Sequence, residues 1–198
     1  MPARRRTIRG SARKAILWAT LEIIASHGID AVTHRRVAER AGVSPGSTTH
    51  HFASREDLLR EAFRFYLTHG DRLLTTIDAK NRASVSDPLE RVRRFATEII
   101  RREFIEPGAG FIRAEHEMLL FASTDSELAS HVRAWDARWA ASIAGDFEAA
   151  GWPRPVEAAR TLMNLIRGYE LERLLDPQAD AAEFGRRLDS MLTRTDRG

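Results

Sequence analysis

Residues 33–52 read Thr33-His34-Arg35-Arg36-Val37-Ala38-Glu39-Arg40-Ala41-Gly42-Val43-Ser44-Pro45-Gly46-Ser47-Thr48-Thr49-His50-His51-Phe52, and their punctuation decides the fold. Thr33 is placed to cap a short helix that carries Val37, Ala38 and Ala41 on one side and stops at Gly42. Ser44 is placed to cap a second, with Pro45 at its first position, where a missing N–H costs nothing. Two short helices joined by a glycine-containing turn form a helix-turn-helix. The small side chains of Ala38 and Ala41 let the second helix cross close to the first, Gly42 reverses the chain, and Val43 fills the angle between them. The first turn of the second helix is small and open, so its N–H groups can approach a phosphate. Ser47, Thr48, Thr49 and His50 then offer short hydrogen-bonding groups to base edges in a major groove.

Outward from this stretch the chain reads as helix on both sides. Residues 11–27 carry a broad apolar stripe at helical period, with Ser11 as the expected N-cap and Gly28 where a left-handed residue is wanted. Ser54 and Asp57 make a capping-box-like pair that opens a fourth helix, whose apolar side is Leu58, Leu59, Ala62, Phe63 and Tyr66. Asp87-Pro88 begins another, ended by Glu106-Pro107-Gly108; Phe111 to Phe121 forms the next. Thr124 and Glu127 read as a capping box opening a long helix closed by Gly151, Pro155 starts a further one that ends at Asp176-Pro177, and a last amphipathic segment spans 180–193. There is no β-alternation and no internal repeat. The expectation is all-α, about nine helices: an N-terminal three-helix helix-turn-helix domain at 1–54 with a basic arm, then a helical domain at 55–198.

Charge separates the two parts. Residues 1–60 hold eleven Lys or Arg against five Asp or Glu, whereas the whole chain nets only +3. Within the first fourteen residues five Arg and one Lys stand with no acid, so a polyanion is the expected partner of the head. Arg4, Arg5, Arg6 and Arg9 are suited to a minor-groove arm. Cysteine is absent, which excludes disulfides and thiolate metal sites. Charges interrupt every apolar run before it reaches bilayer length, and the basic start lacks the apolar segment of a signal peptide. A cytoplasmic protein with no membrane partner is expected.

The block from Val37 to Phe63 resembles the DNA-binding domain of TetR-family regulators. Val37-Ala38, Ala41-Gly42-Val43-Ser44, Gly46, His51-Phe52 and Ser54-Arg55-Glu56-Asp57-Leu58 fall in one register of that pattern, and the match extends over roughly residues 12–64. Two departures stand out: Thr48-Thr49 replace the usual Leu-Tyr, and Arg55 replaces a Lys while keeping its charge for a phosphate. The resemblance implies a homodimeric repressor on a palindromic operator, released by a small-molecule effector. The DNA-binding set expected is Thr33, His34, Arg35, Arg36, Ser44, Pro45, Gly46, Ser47, Thr48, Thr49, His50 and Arg55. His51 is expected to be structural. The effector set expected in the second domain is Phe95, Ile99, Phe111, Glu115, Met118, Trp135, Trp139 and Met163, with Phe104 beside it. The last two long helices make the dimer in that family, which assigns a bundle face to Leu162, Ile166, Tyr169, Phe184, Leu188, Met191 and Leu192.

Other classes are set against this reading. His50 and His51 point about 100° apart on a helix and cannot share a metal, and Glu115-His116-Glu117 lacks a partner at bundle spacing. The sequence has no phosphate-cradling glycine loop, no H-E-x-x-H and no cysteine nucleophile, so no enzyme and no cofactor are expected. The alternative is a helical protein-interaction adaptor that keeps the fold without binding an operator.

Overall fold

The first helix begins earlier than its sequence suggests. In a computed structural model, which describes residues 9–105, 111–176 and 178–193, α1 runs Arg9–His27, so Ser11 lies inside it and is not its N-cap. Helices α2 (His34–Ala41), α3 (Pro45–His51), α4 (Arg55–Ser84), α5 (Pro88–Ile105), α6 (Phe111–Ser123), α7 (Ser126–Ala149), α8 (Pro155–Leu175) and α9 (Ala181–Thr193) follow. A single 3₁₀ turn, Ile29–Ala31, separates α1 from α2. Among the described residues there is no strand, and the fold is all-α. Two stops expected from sequence, 106–108 and Pro177, and the arm residues Arg4, Arg5 and Arg6 lie outside the described residues, as do the side chains of Arg9 and Phe104.

The chain forms two compact units, Met1–Thr68 with Arg113–Ala129, and His69–Ile112 with Ser130–Gly198. Helix α4 is 30 residues long and supplies residues to both. In the first unit, α1 packs on α2 and α3, and α2 on α3. Ile16, Leu17, Leu21, Ile24, Val32, Val37, Phe52, Leu58, Leu59 and Phe63 are all buried there. Full burial of each such aliphatic side chain stabilises by about 1.5–3 kcal/mol. Gly28 takes φ +86°, a conformation L side chains rarely adopt, and the Ile29 N–H that follows it donates to the Glu117 carboxylate on α6. A β-carbon at Gly28 would stand 3.0 Å from Arg113 Nη2 and 3.3 Å from both Glu117 carboxylate oxygens. Gly28→Ala is therefore expected to cost about 1–3 kcal/mol, from the backbone alone. A lowered urea midpoint would show it; an unchanged midpoint would mean the turn relaxes freely.

The helix expected to open on a Thr124–Glu127 box opens instead on Asp125. Its Oδ1 accepts from the N–H groups of Glu127 and Leu128, each at 3.1 Å, while the Thr124 hydroxyl donates back to Phe121 C=O at 2.9 Å and finishes α6. Arg60, hydrogen-bonded to Asp125 at 2.5 Å, together with those backbone donors, holds the carboxyl below its ordinary range.

In the second unit α5 packs on α8 and α9, and α8 on α9. Its core includes Phe95, Trp139, Phe147, Leu162, Ile166, Tyr169, Phe184, Leu188 and Leu192. The face expected to dimerise is thus already covered within one chain: Leu162 is 0 % exposed, Tyr169, Phe184 and Leu188 each 1 %, and Met191 packs against the same cluster. The apolar side chains that α8 leaves exposed are Val156, Leu171, Leu174 and Leu175. No described helix is long and apolar enough to cross a membrane.

Candidate nucleic-acid interface

Local hydrogen bonds set the two short helices. The Thr33 hydroxyl accepts from the Arg36 N–H at 3.2 Å, capping α2. At the other end Gly42 sits in the left-handed region (φ 65°, ψ 31°), with its N–H on Glu39 C=O and the Val43 N–H on Ala38 C=O at 3.0 Å. Ser44 is the N-cap of α3 by backbone conformation, yet its hydroxyl makes no cap bond. The Ser47 N–H reaches the Ser44 carbonyl instead, at 2.9 Å.

The expected DNA-binding residues separate by exposure. Thr33, Arg35, Ser44, Pro45, Gly46, Thr49 and His50 are exposed; His34, Arg36 and Ser47 are half-buried. A β-carbon at Gly46 would meet nothing within 4 Å, so no packing in the folded chain requires glycine there. Thr48 is a correction. It is 0 % exposed, and its hydroxyl donates to Pro45 C=O at 2.8 Å and to His34 C=O at 3.3 Å, fixing α3 against the start of α2. It packs the motif and offers nothing to a base edge. Arg55 also departs from expectation. Its Nε donates to Val32 C=O at 3.0 Å and its Nη2 to Ile29 C=O at 2.7 Å, so the guanidinium secures the chain entering α2 instead of standing clear for a phosphate. His51 is half-buried, its ring 6.2 Å from that of Phe52.

Sequence reasoning missed two side chains that brace this unit. Arg13 lies over the Phe52 ring at 5.5 Å and pairs with Glu61. Glu117, read from sequence only as part of a false metal pattern, binds the Ile29 N–H and pairs with Arg113 at 2.7 Å. The i, i+4 spacing of Arg113 and Glu117 was visible; a bond reaching back 88 residues was not.

The expected effector residues divide between the units. Phe95 and Trp139 stack at 5.9 Å in the core of the second, with Ile99, Trp135 and Met163 packed against the same cluster. Phe111 begins α6 in that unit, half-buried. Glu115 and Met118 belong to the first unit, where Glu115 accepts from the Tyr66 hydroxyl and Met118 is buried. Asp78, Val92, Phe95, Trp139, Ser142, Ile143 and Asp146 line a cleft of about 10 Å³, room for about one water molecule. The indole N–H groups of Trp135 and Trp139 are buried without a hydrogen-bond partner among the described residues.

A three-helix head that exposes the start of its second short helix, followed by a separate helical core, defines a helix-turn-helix transcriptional regulator. The chain belongs to the TetR family: residues 16–62 match the model of bacterial regulatory proteins of the tetR family, and 87–195 match that of the tetracyclin repressor-like C-terminal domain. Among curated relatives, the HTH-type transcriptional regulator BetI 1 of Chromohalobacter salexigens is 39% identical over 83 residues, which is 41% of this chain and 39% of that protein. The HTH-type transcriptional repressor KstR2 of Mycobacterium tuberculosis is 34% identical over 84 residues, 42% and 40% of the two chains. The match spans about two fifths of these relatives' length. A crystal structure of a transcriptional regulator from Streptomyces coelicolor A3(2) superposes with a TM-score of 0.67 at 27% identity, covering 92% of this chain and 98% of that one.

Proposed function

We propose that this TetR-family regulator is an effector-responsive repressor, cytoplasmic, that binds a palindromic operator as a homodimer. The observation that carries the reading is the exposed row Arg35, Ser44, Pro45, Gly46, Thr49 and His50, in which the Ser44 hydroxyl and the bare Gly46 serve no purpose in the fold. Residues 1–54 would read the DNA, and 55–198 would receive the effector and dimerise. Two copies would set their α3 helices in successive major grooves about 34–36 Å apart. Val156, Leu171, Leu174 and Leu175, exposed on α8, mark the face assigned here to a second copy. The buried aromatic cluster of the second unit is the effector site on this reading, and its ligand would shift the population toward a conformer with lower operator affinity.

Selection from a random DNA pool with the full chain is the test. An enriched palindrome with half-sites about one turn apart supports the reading, while no enrichment at low salt favours the adaptor alternative. On the selected operator, Arg36→Ala is expected to weaken binding by about 1–3 kcal/mol with the unfolding midpoint unchanged. Unaltered affinity would remove Arg36 from the interface.

A further inference from the structure

Glu170 is 3 % exposed and its carboxylate makes neither a hydrogen bond nor an ion pair with any described residue; Oε2 is fully buried and unpartnered. It sits on the inner face of α8, one turn beyond Ile166 and two beyond Met163. Two arginines stand near it on α8. Arg167 pairs with Asp136 on α7, Nη2 to Oδ1 at 2.5 Å, and Arg173 donates to Ala179 C=O. The Arg167–Asp136 pair brings Glu170's turn of α8 alongside the stretch of α7 that carries Trp135 and Trp139. Those two residues, four apart, lie one above the other on α7, with both indole N–H groups buried and unpartnered.

An unpaired carboxylate in a protein core is costly, and such groups are normally matched by a counter-charge or a ligand. Indole faces attract cations, and their N–H groups take an acceptor. We propose that Glu170, Trp135 and Trp139 form the recognition site for a lipophilic organic cation. The inference rests on the effector-binding reading above and names the ligand class for it. Glu170 supplies the charge, the indoles supply the walls, and Met163 with Ile166 lines the apolar side. Binding opens the core, because the neighbouring cleft beside Trp139 holds space for only about one water molecule.

The experiment uses two ions of one shape and opposite charge, tetraphenylphosphonium and tetraphenylborate, titrated into the full chain by calorimetry and tryptophan fluorescence. The expected result is saturable binding of the phosphonium, roughly tenfold or more tighter than the borate, and a loss of about tenfold for the phosphonium alone in Glu170→Gln. Equal binding of the two ions, or binding of neither, overturns the proposal, and that comparison needs no variant to fold. Equal phosphonium affinity in wild type and in a folded Glu170→Gln overturns it as well. Release of the selected operator is measured separately. Glu170-dependent phosphonium binding with unchanged operator affinity upholds the cation site and sinks the effector reading. Operator release by both ions alike sinks the cation site and upholds the effector reading.

Discussion

Asp146→Ala is expected to destabilise the second unit by about 3–5 kcal/mol, the range for removing one partner of a buried ion pair. Asp146 is 5 % exposed, and its Oδ1 accepts from Arg91 Nη2 at 2.7 Å and Nε at 2.9 Å. The Arg91 side chain is itself only 15% exposed, and its Nη1 holds Val85 C=O at 3.1 Å and Ser86 C=O at 2.8 Å. One carboxylate therefore compensates a guanidinium that also fastens the loop between α4 and α5. Removing it leaves a near-buried cation with only backbone acceptors. Arg82 also reaches Asp146, at 3.2 Å, but its side chain is 42% exposed. Solvent screening reduces that contribution to about 0–1 kcal/mol, so Arg82→Ala is expected to change little. With Trp18 of the first unit replaced by Phe, urea unfolding followed by the fluorescence of Trp135, Trp139 and Trp152 reports on this unit. Equal losses for the two substitutions would mean that Arg91 is solvated and the pair contributes no more than a surface one.

Much of this fold was legible because helix ends are local chemistry. Thr33, Gly42, Gly151 and Pro155 stand where the backbone needs a cap, a left-handed residue or a first helical position, and Asp87 Oδ1 accepts the Glu90 N–H at 2.7 Å. The misses have local causes too. Thr124 and Asp125 both qualify as caps, and the carboxylate wins because the hydroxyl is taken by Phe121 C=O in the last turn of α6. The sequence supports helix clearly only through Tyr66, yet α4 continues to Ser84. The run after Tyr66 carries Leu67, Leu73, Leu74 and Ile77 among polar residues and has no proline, and its one glycine, Gly70, lies against the Trp135 ring at 3.9 Å from where its β-carbon would be. That single glycine costs about 1 kcal/mol, too little to end a helix of 30 residues.

Two side chains of the candidate site stand otherwise than their spacing suggests. Motif spacing assigns Thr48 and Arg55 to the expected DNA-binding set, but spacing does not say which way a hydroxyl or guanidinium turns. Both turn inward to backbone carbonyls that sequence could not locate: Thr48 to His34 across the turn, Arg55 to Ile29 and Val32 before α2. The same limit explains the dimer face. An amphipathic period shows that one side of α8 is apolar, not whether it meets its own chain or a second copy.

That ambiguity yields the second large effect, a contrast between the two sides of α8. Leu162→Asp is expected to abolish cooperative folding of the second unit. Leu162 is 0 % exposed within the cluster of Phe95, Trp139 and Tyr169. Truncating such a leucine costs about 2–5 kcal/mol, and an unpaired carboxylate left in its place adds several more, which together rival the whole stability of a typical domain. Leu171, 48% exposed on the opposite side, tolerates a charge without loss of the core. If the stripe of Val156, Leu171, Leu174 and Leu175 is the dimer face, Leu171→Asp gives a folded monomer by sedimentation, with helical circular dichroism retained and operator affinity lost. A dimeric Leu171→Asp would move the interface off α8's outer face. A folded, monomeric Leu162→Asp would instead return the interface to the inner face and contradict the burial of that residue within a single chain.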